Sequence, residues 1–359
     1  MPMTSALEQR EKRARIKALL EAKGLDALVL KKGANVAWII GGRAHIPTTL
    51  ELACLDVIVY KDRIVVVTNK IEAPRLEAEE LSGDEELIVI NWFEGREGQL
   101  PSGEKIGIDG PDNNRINLSA EIEELRRSLN SFEVDRLRQI GSDAAKSLGE
   151  SMLKISPKMS EVGAAGVIAE NLWAHNLEPV VLLVAGCDRI ESFRHPLPTT
   201  NLIGSLFMGV ICARRKGLIA SVTRILSFNS LSNEIELRYK ALLNVEAAFF
   251  SGTEVGATYG QAFKSGEVEY LKQGFARDEW SKHHQGGPTG YLPRDFPAHE
   301  KSAQVIGVNN AIAWNPSAAG IKVEDTLITT PTGFEIITSD PSWPSVEIAG
   351  RARPDIARP

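Results

Sequence analysis

Residues 283–291 read His-His-Gln-Gly-Gly-Pro-Thr-Gly-Tyr, and thirty residues later Trp314-Asn315-Pro316 is followed by Val323-Glu324-Asp325-Thr326. A histidine pair beside a glycine-rich run puts ionisable rings where the backbone can approach closely and little packing surface intervenes. The second stretch reads as a hairpin turning near Ala319-Gly320. Opposed residues of an antiparallel pair have a constant index sum, so Asn315 falls opposite Glu324. Upstream, the runs Leu206 to Ala213 and Leu218 to Leu226 flank Arg214-Arg215-Lys216-Gly217, and a turn centred on Arg215-Lys216 places Val210 opposite Ser221. Two such cross-strand pairs on one sheet make a floor for a site.

Composition bounds what that floor can serve. The chain has 359 residues, 43% hydrophobic and 25% charged, which suffices for two separate cores. A net charge of -6 without a basic stripe argues against nucleic acid as a partner. The three cysteines, Cys54, Cys187 and Cys212, are widely spaced and frame neither a disulfide scaffold nor a zinc pattern. No apolar run reaches bilayer length and the first residues mix Glu and Lys/Arg, so the expectation is a cytoplasmic chain with no membrane partner.

Along the chain, a helical pattern over 5–22 is followed by strand-like runs at 26–31, 55–60 and 63–68, the last two joined by Lys61-Asp62 as a hairpin. A helix at 71–82, strands at 86–91 and 105–108, and a helix at 118–128 complete a small α/β domain over residues 1–130. Long helices at 132–154 and 159–176, strands at 179–185, 205–213, 217–227, 304–314 and 322–329, and helices at 232–251 and 258–273 give an α+β domain with a largely antiparallel sheet over 131–345. Residues 346–359, rich in Arg and Pro, read as a tail.

The order of these parts resembles the pita-bread family of aminopeptidase P, prolidase, methionine aminopeptidase and creatinase. The carriers are a strand ending Val222-Thr223-Arg224, the His-rich glycine loop, Asn315-Pro316 and Glu324-Asp325-Thr326. The resemblance spans essentially the whole chain and implies a C-terminal pita-bread domain behind a smaller N-terminal α/β domain, and a homodimer. In the peptidases two Asp, one His and two Glu hold a pair of divalent metals; carried over, those positions are Val210, Ser221, His284, Asn315 and Glu324. Hard divalent ions need several anionic oxygens. Only His284 and Glu324 could serve, so the expectation is an absence of metal and of any other cofactor.

Creatinase, the family member that works without metal, is similar at His195-Pro196-Leu197-Pro198-Thr199-Thr200, and its resemblance makes His195 the proton carrier with Glu324 as one of two carboxylates. The other falls on Thr223. His195, His284 and Glu324 are therefore the catalytic candidates. Tyr291 and Arg294 are candidates to hold an oxyanion or a carboxylate, and Asn315, Ser221 and Thr223 to hydrogen-bond a polar substrate. In the small domain, Trp38 to His45 is the segment read as functional, and the resemblance to creatinase implies that Arg43 and His45 reach a neighbour's site in trans. The expected activity is hydrolysis of a C–N bond in a small polar molecule or short peptide. The alternatives are a non-catalytic binder of a peptide or metabolite, a lyase or cyclising enzyme using the same residues, and, least favoured, an Xaa-Pro metallopeptidase with relocated ligands.

Overall fold

The computed structural model describes residues 6–44 and 50–358, in two compact units, Met1–Asn130 and Ser131–Pro359. The first unit runs α1 (Ala6–Lys23), β1 (Ala27–Lys32), α2 (Gly33–Ile40), β2 (Leu52–Tyr60), β3 (Ile64–Asn69), α3 (Ala73–Arg75, continued by a π-helical turn Leu76–Glu80), β4 (Glu86–Ile90), β5 (Ile106–Ile108), β6 (Ile116–Asn117) and α4 (Ser119–Arg127). Its sheet has the order β4-β3-β2-β1-β5-β6. β1, β2 and β3 pair antiparallel, and the flanking strands pair parallel. The sequence reading misses α2. Trp38, Ile39 and Ile40, read as part of a functional segment, are fully buried in that helix, which stops at Gly41 in the left-handed conformation, φ 72.

The second unit begins with α5 (Ser131–Met152) and α6 (Glu161–Ala174), then β7 (Glu178–Gly186), α7 (Cys187–Ser192), β8 (Leu206–Arg215) and β9 (Leu218–Ser227). Next come α8 (Asn233–Gly252), α9 (Tyr259–Lys272), β10 (Gly286–Thr289), β11 (Ala311–Trp314), β12 (Ser317–Ala318), β13 (Ile321–Lys322), β14 (Asp325–Thr330), β15 (Gly333–Ile336), β16 (Ser345–Ile348) and β17 (Arg351–Pro354). β7-β8-β9 form one antiparallel sheet and β10-β11-β14-β15 another. An antiparallel bridge between Thr223 of β9 and Glu324, the residue before β14, joins the two. Helices close the outer faces. A Cβ on Gly209 of β8 would meet Leu148 of α5 and Ile168 of α6, while Phe249 of α8 stacks on Trp314 of β11 at 4.7 Å. Each aliphatic side chain sealed in this way contributes about 1.5–3 kcal/mol. Among the described residues no helix is long and apolar enough to cross a membrane.

Three expectations change here. The β8–β9 turn sits one residue later than expected, on Lys216 and Gly217, both at positive φ (49 and 83), because a two-residue turn of this hand needs left-handed backbone at both positions. Val210 therefore opposes Thr223, and Ser221 opposes Cys212. The shift is two in index sum, so all four keep one face. The strand expected over 304–314 shortens to Ala311–Trp314, since Asn309 takes φ 59 and Asn310 turns its side chain onto the Gly307 amide at 2.9 Å. Of the stretch expected to be a tail, residues 346–358 are anchored. β16 pairs with β17, Arg353 is buried, and Ala357 bridges Leu226 of β9.

Candidate active site

The site is assembled from two loops and a pair of strands. His195 lies in the segment after α7, which Glu161 ties down. That buried carboxylate, one residue past the Ser160 cap of α6, accepts from the amides of Gly186 (3.0 Å) and Thr199 (2.9 Å), from the Thr199 hydroxyl (2.6 Å) and from Arg189 Nε (3.2 Å). Arg194 pairs with Glu279, which draws this segment against the approach to the glycine loop. The loop itself needs its glycines. At Gly286 (φ 121) a Cβ would stand 2.2 Å from the Ala313 carbonyl oxygen, and at Gly287 (φ 142) one would stand 2.6 Å from that of Phe296.

These constraints bring three imidazoles together. His195 Nε2 and His283 Nε2 are 2.9 Å apart, one donating and the other accepting, and the His283 and His284 rings lie 4.4 Å apart between centroids. One ring nitrogen from each of the three falls within 4.8 Å of the others. His283, set aside in the sequence reading in favour of His284, is thus the direct partner of His195. Burial holds all three imidazoles below their ordinary pKa, with Lys322 and Arg294 adding to the effect on the loop pair; His284 is pushed down to about 3. His195 is the exposed member, and among the described residues nothing bonds its Nδ1.

Glu324 faces this cluster from the strand side. It accepts from Thr223 Oγ1 at 2.9 Å, and Arg294 and Lys322 each stand 3.6 Å from one of its oxygens. Lys322 was missed in the sequence. Its signal is strand alternation: two residues before Glu324, it points to the same side. Arg294 is half-buried and donates to the carbonyls of Gly287 and Ala313, both at 2.7 Å. The ladder on either side, Trp314 with Asp325 and Ser317 with Lys322, keeps one index sum and sets Asn315 opposite Glu324. Asn315 Oδ1, Ser317 Oγ and the Nδ1 atoms of His283 and His284 are buried and find no hydrogen-bond partner among the described residues.

The remaining candidates go elsewhere. Tyr291 is buried and its hydroxyl donates to Glu133 of α5 at 2.7 Å, which spends it on packing instead of on an oxyanion. Ser221 gives its hydroxyl to Cys212 Sγ at 3.2 Å. Burial pushes that thiol up to about 11, so Cys212 is no nucleophile. Arg43 pairs with Glu79 and Glu80 within its own unit, each at 2.8 Å. His45 lies outside the described residues.

The fold is that of the pita-bread peptidases. The prolidase of Pyrococcus horikoshii superposes with a TM-score of 0.79 at 15% identity, covering 92% of this chain and 98% of its own. An Xaa-Pro dipeptidase of Bacillus anthracis gives 0.76 at 17% identity over 93% and 98%. The N-terminal domain of the FACT complex subunit SPT16 from Eremothecium gossypii gives 0.66 at 13% identity over 94% and 97%. No family model and no curated protein matches the sequence.

The dinuclear metal centre that the resemblance implies does not fit these residues. Val210 has no donor atom, Ser221 and Asn315 are neutral, and two fixed cations already stand beside the one carboxylate. A pair of divalent ions placed there would meet like charge and find one anionic ligand.

Proposed function

We propose that the protein is a metal-independent hydrolase of a C–N bond in a small polar molecule, with His195 as the proton carrier. The observation that carries this reading is the exposed, neutral His195 imidazole, held by His283 at 2.9 Å beside a carboxylate flanked by two cations. In the proposed reaction water adds to the electrophilic carbon and gives a proton to His195. The C–N bond breaks, and the same proton passes to the departing nitrogen, so acid and amine leave and His195 returns neutral. Glu324 favours the imidazolium while it exists, against Lys322, which disfavours it. Arg294 and Lys322 supply fixed positive charge near the carbon where an oxyanion develops.

The test is a panel of small amides, N-acyl amino acids and guanidino acids assayed for amine release, with and without a chelator. Turnover should survive chelation and fall about 100-fold or more in His195→Gln with KM little changed, the scale of general acid–base catalysis. Activity that chelation abolishes and manganese or zinc restores would overturn the reading.

A second reading, a binding protein without catalysis, has its own support, because the fold is shared with the N-terminal domain of a subunit of the FACT complex. A binder keeps its ligand in His195→Gln and shows no turnover in wild type.

A further inference from the structure

His195, His283 and His284 are three of the chain's six histidines. Among the described residues, the ring nitrogens of these three make one hydrogen bond in all, the 2.9 Å contact between His195 Nε2 and His283 Nε2. His283 is 8% exposed with its Nδ1 unpartnered, and His284, half-buried, has no partner at either nitrogen. Elsewhere in the chain His175 and His299 each set Nδ1 on a backbone partner. Native interiors answer nearly all of their buried polar atoms, and a group left unanswered in a cleft calls for a ligand. The three rings also converge, with centroids 4.4 to 5.4 Å apart and one nitrogen from each within 4.8 Å of the others.

We infer that His195, His283 and His284 form a site for one borderline transition-metal ion of the zinc or cobalt class, with its fourth position left to water. Metal–nitrogen bonds of about 2.0–2.1 Å at tetrahedral angles set ligand nitrogens about 3.3 Å apart, so the 2.9 Å pair need open by only about 0.4 Å. The other separations close by rotation of the rings, of which His195 is the exposed one. Three imidazole nitrogens replace three waters of the hydrated ion. The ring that donates across the 2.9 Å contact shifts its proton to its own Nδ1, so none is released. Lys322 and Arg294 oppose a cation here and Glu324 favours one. Binding must therefore come from the nitrogens themselves, which suit zinc and cobalt and not the hard ions magnesium or manganese. Only His284 belongs to the five positions carried over from the peptidases, so this is a different site with a different donor set. Resting on the hydrolase reading, an ion held here takes up Nε2 of His195, the proton carrier, and stops turnover.

Calorimetric titration of the untagged full chain, stripped of metal by a chelator and desalted, tests the site without requiring turnover. Zinc should bind at one ion per chain, cobalt should develop the intense visible absorption of a four-coordinate ion, and magnesium and manganese should not bind over the same range. His195→Gln and His283→Asn should each weaken zinc by about 10–100-fold. His175→Asn should bind zinc as wild type does. Two ions per chain, manganese bound as tightly as zinc, or an unchanged zinc affinity in His195→Gln overturns the site. Because His195 is exposed, that last result stands even where His283→Asn does not fold. Zinc bound by the three rings without turnover of any panel substrate would leave the metal site standing and remove the hydrolase. Turnover by a chain that takes up no zinc would keep the hydrolase and remove the metal site.

Discussion

Glu324 and Asp325 are neighbours in sequence and both are buried, yet the charge clusters built on them are opposites. Asp325 points to one side, where Arg224 meets it at 3.0 Å, Thr338 at 2.6 Å, and Arg353 spans it and Glu246 with two further bonds of 2.7 Å to Glu246. Two guanidinium groups face two carboxylates, and Arg353 forks onto Glu246 with two parallel bonds. Glu324 points to the other side and meets two cations, each at 3.6 Å, with unpartnered polar atoms around them. A balanced cluster holds the chain together, here by clasping β17 to α8 and β14. The other leaves two cations to share the Glu324 carboxylate.

The first way to break the comparison is to unbalance the balanced side. Arg353→Met leaves Glu246 and Asp325 buried with Arg224 as their one remaining cation. It should cost about 3–5 kcal/mol, the usual loss when one partner of a buried ion pair is removed. Urea unfolding reads this directly. A cost below about 1 kcal/mol would mean that the C-terminal strands are dispensable and that the contrast with Glu324 is empty.

The two clusters differ equally in how far the sequence announces them. The strand ending in Thr223-Arg224, the glycine loop and the Asn315/Glu324 hairpin are legible because period-2 alternation and turn residues carry register. His195 came from resemblance and not from any periodicity, since a loop histidine has no pattern. Lys322 stood two residues from Glu324 in plain view, but a lysine in a strand reads as a solvent-facing residue until burial is known. The Arg353 clasp was hidden for another reason. A short Arg/Pro-rich end has no apolar rhythm, and its anchoring depends on Glu246, more than a hundred residues away. Helix α2 was missed because eight consecutive buried residues carry no amphipathic period at all. His284 rests on the resemblance; the structure adds its neighbour His283, in contact with His195 at 2.9 Å, and keeps His284 in the same cluster.

The histidine side of the site should betray itself through pH. His283 is 8% exposed, and its folded pKa lies far below the ordinary 6.5, burial being the main cause. The unfolded chain then binds a proton that the folded chain refuses, so this contribution is fully present above pH 6.5 and is lost as pH falls below it. At pH 5 the loss from one such histidine is about 2 kcal/mol. Comparing unfolding midpoints at pH 7.5 and pH 5 in wild type and His283→Asn should show a shallower pH dependence in the variant. Equal slopes would mean that His283 titrates normally and that the cluster is not held neutral.

Tyr291 sharpens the boundary of the site from outside. It sits one residue past the glycine run but gives its hydroxyl to Glu133. Tyr291→Phe should therefore cost about 1.5 kcal/mol, the scale of a hydrogen bond to a charged group, and leave turnover of the panel substrates unchanged. Slower turnover with undiminished stability would place the hydroxyl in the site after all.

The smallest expected effect is the most telling one. Lys322→Met removes a buried charge, as Arg353→Met does, but Glu324 keeps Arg294 and the Thr223 hydroxyl, and the lost ammonium had no hydrogen bond to give up. The apolar side chain fills similar volume without desolvating a cation, so stability should change by less than about 1 kcal/mol or rise. A loss of several kcal/mol, matching Arg353→Met, would show that Lys322 is part of the scaffold and that both clusters are structural.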